Sequence, residues 1–331
     1  MIGIKDIAKK VGMSPATVSR VINGKKHVNP QRREQILKLI EETGYVPNKA
    51  ARSMVLQRSY TVGIVIPTTF NIFQRQLFSI MEKRLESFGY YTLFLFVNFN
   101  TESETECLNR LKAEKLDGFI MIHEIKSPYF YEYLESVNLP VVTATFRYGS
   151  IPGIHVDEEK AAFEAINHLV NLGHRKINLL VGGDFSFSKQ RMEGYYKALG
   201  AAGIERDERR VFLARQYTME YGINAMREML LRGRDFTALF AATDELAIGA
   251  IRALRDEGVR VPEDVSVIGF DDIEIANYTV PRLTTIHQPI TEIGEETALA
   301  LHRQINGSNP VKQDRTLSYQ LSIRESTARV P

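Results

Sequence analysis

The chain of 331 residues has a single cysteine, Cys107. An internal disulfide framework is therefore excluded, and a lone thiol fits a reducing compartment. Long hydrophobic runs are also missing, since no stretch approaches the roughly 18 apolar residues of a membrane-spanning helix. Met1 to Val11 alternates charged and apolar side chains without the continuous apolar segment of a secretory signal. The expected location is the cytosol. Catalytic signatures are equally scarce. There is no Gly-x-x-x-x-Gly-Lys-Ser/Thr phosphate loop, no Gly-x-Gly-x-x-Gly after the first strand and no Gly-x-Ser-x-Gly elbow. Gly182-Gly183-Asp184 has the spacing of neither glycine motif. The seven histidines are scattered, without His-Glu-x-x-His or a Cys–His cluster of zinc spacing. No catalytic residues, metal or other cofactor are expected; His174, just before a strand, reads as structural and Cys107 as incidental.

What is present is ordinary in bulk and uneven in distribution. With 44% hydrophobic and 25% charged residues, the composition is that of a soluble globular protein of two or three domains. The net charge is only +2, but residues 1–58 hold 12 of the 42 Lys and Arg against Asp6, Glu34, Glu41 and Glu42, a net +8. The other 273 residues carry 30 basic and 36 acidic groups, a net −6. A basic head on an acidic body is the electrostatic footprint of a polyanion-binding segment.

That segment has helical structure of a particular kind. Ser14 suits an N-cap and Pro15 the first helical position, where no amide hydrogen is needed. Val18, Val21 and Ile22 then share one apolar face, while Pro15, Ala16, Ser19 and Arg20 form the opposite, small or cationic face. A preceding helix with Ile4, Ile7, Ala8 and Val11 on one stripe ends at Gly12. Two short helices joined by a Gly-containing turn make a helix-turn-helix whose second helix enters the DNA major groove; the plainer alternative is a surface helical hairpin. Asn29 caps a third helix beginning at Pro30, with Ile36, Leu37 and Ile40 expected to close the core. Residues 48–56 have helical composition but span only about two and a half turns, so they order only when something packs on them.

From Thr61 onward, apolar strands alternate with helices: Val62–Ile66, Tyr91–Val97, Gly118–Ile122, Val141–Phe146, Ile177–Val181, Val211–Leu213, Leu239–Ala242 and Val265–Phe270. Near-continuous apolar strands of this kind mean parallel sheets covered on both faces. About 270 residues are too many for one such sheet, which implies two lobes. A final helix over 291–305 and a strand over 317–323 are expected to return to the first lobe. The fold class is α/β, an all-α headpiece followed by two doubly wound parallel subdomains.

Ligands of open parallel sheets bind beyond the carboxyl ends of the strands. There stand Phe70-Asn71-Ile72-Phe73, Arg147, Arg191, Asp244 and Asp271-Asp272, which together offer aromatic faces, carboxylates and guanidinium forks. Such a set suits a small polyhydroxylated or heterocyclic ligand. For Asp244 and Asp271 helix capping is the competing assignment.

The motifs Ile4-Lys5-Asp6-Ile7-Ala8, Thr17-Val18-Ser19-Arg20-Val21-Ile22-Asn23-Gly24 and Gly44-Tyr45-Val46-Pro47-Asn48 lie in one order with Leu172-Gly173-His174-Arg175, Arg191-Met192-Glu193-Gly194-Tyr195 and Val261–Asp272. Over nearly its full length the chain resembles the lactose-repressor (LacI/GalR) family of bacterial transcription regulators. The resemblance implies a headpiece at residues 1–47, a hinge helix and linker at 48–59, and a periplasmic-binding-protein-like core at 60–331. Lobe 1 would take about 60–157 and 289–323, and lobe 2 about 158–286. It implies a cytoplasmic, nucleoid-associated homodimer, without a tetramer-forming heptad tail, on double-stranded operator DNA that is pseudo-palindromic. Ser14, Pro15, Ala16, Thr17, Ser19, Arg20 and Asn23 would touch the DNA, with Arg20 the guanine reader and Met54 the apolar wedge of the hinge. Asn71, Phe73, Arg147, Arg191, Asp244 and Asp271 would touch a small-molecule effector, sugar-like by resemblance. The chain departs from the family at Asn71-Ile72-Phe73, Ala144-Thr145-Phe146-Arg147 and Val156-Asp157-Glu158. A nucleobase or a partner protein therefore stays open as effector, and a solute-binding protein is the more distant alternative.

Overall fold

The computed structural model describes residues 3–22, 28–45, 58–98, 100–122, 124–137, 139–183, 185–307 and 314–330. Asn23, Met54 and the expected hinge helix over 48–56 lie outside the described residues. The chain divides into two compact units, one of residues 1–60 with 115–117 and one of 61–114 with 118–331.

In the first unit, α1 is Ile4–Lys10, α2 is Pro15–Ile22 and α3 is Pro30–Thr43. Ser14 Oγ accepts from Thr17 N at 3.1 Å, and Asn29 Oδ1 accepts from the amides of Gln31 and Arg32, so both helices start on side-chain caps. Ile7, Ala8, Val18, Val21 and Ile36 are buried together, with Ile4, Val11, Leu39 and Ile40 half-buried around them. Leu37, expected in this core, is 47% exposed. The helical repeat explains the exchange: from Ile36, positions 39 and 40 return to the same face, whereas 37 is turned about 100° away.

The second unit begins with β1 (Thr61–Pro67), α4 (Ile72–Ser87), β2 (Tyr91–Val97), α5 (Thr101–Ala113), β3 (Gly118–Met121), α6 (Pro128–Ser136), β4 (Val141–Ala144) and β5 (Gly153–Val156). It continues with α7 (Glu158–Asn171), β6 (Ile177–Gly182), α8 (Ser186–Ala201), β7 (Val211–Ala214), α9 (Met219–Arg232) and β8 (Ala238–Ala241). Then come α10 (Asp244–Asp256), β9 (Ser266–Asp271), β10 (Thr284–His287), α11 (Ile290–Ile305), β11 (Arg315–Leu317) and β12 (Gln320–Ser322). One six-stranded sheet has the order β11-β5-β4-β3-β1-β2 and is parallel throughout. The other has the order β12-β10-β9-β8-β6-β7, parallel except for β12, which pairs antiparallel with β10. Val62, Ile64, Val65 and Ile66 are all buried, as expected of a strand covered on both faces.

The end of the chain differs from expectation. α11 returns to the first lobe, packing on α4 and against β3, β4 and β5. The single strand expected over 317–323 is instead two, β11 in the first sheet and β12 in the second. The polypeptide thus passes between lobes near residues 157, 288 and 318. β5 and β10 escaped the periodicity analysis because each has four residues and polar members. Thr284 and Thr285 are fully buried, their polarity met by Ser326, Thr327 and Asp244. His174 is structural, as expected: its ring bonds Thr237, Ser266 and the Ala328 carbonyl, and burial pushes its pKa down.

Candidate nucleic-acid interface and ligand cleft

In the headpiece the capping bond fixes where α2 begins and therefore which side chains face outward. Val18 and Val21 point into the core, while Ser14, Pro15, Ala16 and Arg20 are exposed and Thr17 and Ser19 half-buried. Ser14 Oγ and Thr17 Oγ1 are 2.9 Å apart, so two of the expected DNA contacts also hold the helix start. The outward face presents a proline ring and a methyl group at its start and a guanidinium in its last turn. Proline and alanine side chains offer no hydrogen bonds, so the exposed polar groups at this helix are the Ser14 hydroxyl and the Arg20 guanidinium.

In the second unit, a cavity of about 420 Å³ opens among loops that all follow carboxyl ends of strands. The β1 loop supplies Thr68, Phe70 and Asn71, the β3 loop Ile122, Glu124 and Lys126, and the β4 loop Thr145 and Phe146. The second lobe supplies Gly183, Phe185 and Phe187 after β6 and Arg215, Gln216, Tyr217 and Thr218 after β7. Phe185 and Phe187 are stacked at 5.5 Å with nearly parallel rings, and Tyr217 lies 5.4 Å from Phe187. Gly183, at φ +66°, tucks beneath this wall; a Cβ there would come within 2.4 Å of the Phe185 ring. Tyr217 is fixed by donating its hydroxyl to the Gly182 carbonyl.

The six expected effector contacts are dispersed. Asn71 lines the cavity, but its Oδ1 accepts from Gln74 N at 2.9 Å as the N-cap of α4. Phe73 is turned into the first-lobe core at 6% exposure. Arg147 is exposed and paired with Asp314 at 2.7 Å, apart from the cavity lining. Arg191, Asp244 and Asp271 are buried in the second lobe, behind the aromatic wall. Arg191 Nε donates to Glu158 Oε2 at 2.7 Å, Nη1 donates to the Ala242 carbonyl, and Nη2 lies 3.7 Å from Asp271 Oδ1. Its guanidinium lies 3.6 Å from the centroid of Phe270 and 5.1 Å from that of Phe187. Phe187 therefore touches both the cavity and the buried charges.

Asp244 is not the N-cap of α10; Thr243 is, its hydroxyl accepting from Leu246 N. Asp244 instead accepts from Thr285 Oγ1 at 2.5 Å and Ile273 N at 2.9 Å, fully buried. Gly269 makes room, since a Cβ there would sit 2.1 Å from Asp244 Oδ1. Burial and the nearby Asp271 charge push the Asp244 carboxyl well up. Asp271 caps no described helix either. It accepts from Gln288 Nε2 at 2.8 Å and takes φ +114°, a conformation costly for a side-chain-bearing residue. Thr145, at the end of β4, is likewise at φ +72°. Of the two, Thr145 lines the cavity and Asp271 is buried in the second lobe.

Burial pushes the Asp271 carboxyl up to about 7 from an ordinary 3.8, with Arg191 pulling the other way. The folded protein therefore holds a proton that the unfolded chain has already released, and this group costs stability as pH rises from about 4 to about 7. In thermal unfolding between pH 5 and 7, Asp271→Asn is expected to lose less stability with rising pH than the wild type. Parallel pH profiles would show that Asp271 ionises in the fold as it does in water.

Sequence reasoning missed Phe185, Phe187, Tyr217, Arg75 and Arg215. The signal was available, because Arg215-Gln216-Tyr217 directly follows β7 and falls under the same strand-end rule that selected Arg191.

Residues 3–48 match the family described as "Bacterial regulatory proteins, lacI family", and residues 166–327 match the "Periplasmic binding protein-like domain". Catabolite control protein A of Priestia megaterium is 32% identical over 330 residues, covering 98% of both chains. The structure of the lac repressor dimer bound to operator and the anti-inducer ONPF has a TM-score of 0.88 at 27% identity, covering 99% of each chain. The transcriptional regulator CelR–cellobiose complex has a TM-score of 0.75 at 30% identity, covering 98% of this chain and 100% of that one.

Proposed function

The chain belongs to the lacI family of bacterial regulatory proteins, and on that premise we propose that it is a homodimeric transcriptional repressor switched by a small molecule in its interlobe cleft. One observation carries the assignment: within the +8 segment, a capped helix buries Val18 and Val21 and turns Pro15, Ala16 and Arg20 outward. Each headpiece reads one half-site of a pseudo-palindromic operator, with Ser14, Thr17, Ser19 and Asn23 on the backbone, Pro15 and Ala16 against base methyl groups, and Arg20 on guanine. Met54 is the hinge wedge.

The similar solved structures include an operator-bound dimer and a cellobiose complex, which supports both halves of this assignment. Dimerisation is further supported by exposed apolar side chains: Tyr91 and Phe96 on edge strand β2, and Leu231, Tyr278 and Val280 on the second lobe. The headpiece occupies residues 1–47, the hinge 48–59 and the effector core 60–331. The effector acts by binding two arrangements of the lobes with different affinity, which shifts the population able to hold DNA. The role is regulatory and not enzymatic, and it is exercised in the cytoplasm, on the chromosome.

Selection of binding sites from a random duplex library tests this. Enriched sequences should be two inverted half-sites with a fixed spacing. Enrichment of a single asymmetric half-site would contradict the dimer, and no enrichment would contradict sequence-specific binding.

A further inference from the structure

Two carboxylates reach across from one lobe to the start of a helix in the other. Glu245, in the first turn of α10 in the second lobe, accepts from the Ile72 amide at 2.7 Å. Ile72 is the first residue of α4 in the first lobe. In the opposite sense, Glu124 in the first lobe, on the loop after β3, accepts from the Ser186 amide at 2.8 Å. Ser186 is the first residue of α8 in the second lobe. The first amides of a helix have no acceptor within it, so each needs one from outside. A carboxylate placed there also meets the positive end of the helix dipole. The N-cap side chains do not supply these two acceptors: Phe185 makes no side-chain cap bond, and Asn71 accepts from Gln74 instead. Burial pushes the Glu245 carboxyl up, while the Ile72 amide and the Arg75 guanidinium, both from the first lobe, pull it down. Both glutamates are half-buried.

We infer that Glu124 and Glu245 are positioning residues that together latch the lobes, each closing a helix start that belongs to the other lobe. The lobes are joined covalently at three chain crossings, near residues 157, 288 and 318, and joints of that kind permit hinge motion. A movement that separates the lobes breaks both carboxylate bonds. Loss of either bond therefore makes the other easier to open, which separates a latch from two independent helix caps. Both bonds form between the chain's own groups, so the lobe arrangement is held without a ligand. The inference concerns the core alone and stands whether or not the headpiece reads DNA.

Hydrogen–deuterium exchange of the full-length protein, resolved to single amides, reads local opening without effector or operator. In Glu245→Ala the Ile72 amide loses its acceptor and should exchange faster. The latch further requires the Ser186 amide, whose acceptor is intact, to exchange about five-fold faster or more. Glu124→Ala should do the converse and speed exchange at Ile72. The Gln74 and Leu246 amides are capped within their own lobes by Asn71 and Thr243, and should keep their wild-type rates. Acceleration confined in each variant to the amide that lost its acceptor overturns the latch and leaves two independent caps. Unchanged rates at all four amides overturn it as well. Acceleration that spreads equally to Gln74 and Leu246 assigns the carboxylates to the stability of the separate lobes, and also overturns it. Glu124→Gln and Glu245→Gln keep an acceptor of similar shape without the charge, and carry the same comparison where an alanine variant does not fold.

Discussion

Replacing Arg191 with alanine is expected to lower the stability of the core by about 3–5 kcal/mol, the usual cost of deleting one partner of a buried ion pair. The side chains of Arg191 and Glu158 are only 4% and 3% exposed, and Asp271 lies 3.7 Å from the same guanidinium. Removal leaves the Glu158 carboxylate in the interior without its cation, together with a void between Phe187 and Phe270. For a unit of this size the unfolding midpoint should fall by on the order of 10 °C. The contrast is Lys197–Glu159 on the same pair of helices, with side chains 57% and 39% exposed. Lys197→Ala should leave stability close to the wild-type value, because an exposed pair is screened by water and salt. Denaturant titration of both variants decides between burial and ion pairing in general: similar losses would mean that the Arg191 network is not the anchor its burial implies.

Arg20→Ala should abolish discrimination between operator and random DNA while leaving weak nonspecific binding. A bidentate arginine–guanine contact is worth about 1–3 kcal/mol of discrimination, and two half-sites double that, so the specificity ratio should drop by on the order of 10²–10⁴. The effect is concentrated in one residue because Pro15 and Ala16, beside it on the outward face, have no polar side-chain atoms. Competition binding against random duplex DNA measures the ratio directly. An unchanged ratio would move base reading elsewhere, to the hinge or to the shape of the DNA.

Much of this molecule was legible before any coordinates. The cap at Ser14, the core of the headpiece and the alternating strands follow from local patterns, and local patterns decide such elements. Leu37 misled because an apolar residue one position out of phase still looks like core when several stand together. β12 was hidden because pairing partners distant in the chain choose the sheet, and no local property of Gln320-Leu321-Ser322 says which. The cleft was the least legible. The strand-end rule led to the loops after β1, β4 and β6 but passed over those after β3 and β7, and the polar residues it selected turn inward: Arg191 lies beside Asp271, and Asp244 bonds Thr285 and the Ile273 amide, whereas the cavity is faced by Phe185, Phe187 and Tyr217. Whether a polar side chain faces a cavity or a partner depends on tertiary geometry that a sequence motif does not encode.

The most direct test is the salt dependence of binding to the selected operator. The basic head carries +8 on residues 1–58 of each protomer, so several phosphate contacts per headpiece must release counterions. The logarithm of the association constant should fall linearly with the logarithm of salt concentration, with a slope steeper than about −5, losing roughly 10³-fold or more between 50 and 200 mM. A slope near zero would show that the basic head does not grip the DNA backbone, and the account of this chain as an operator-binding repressor would fail.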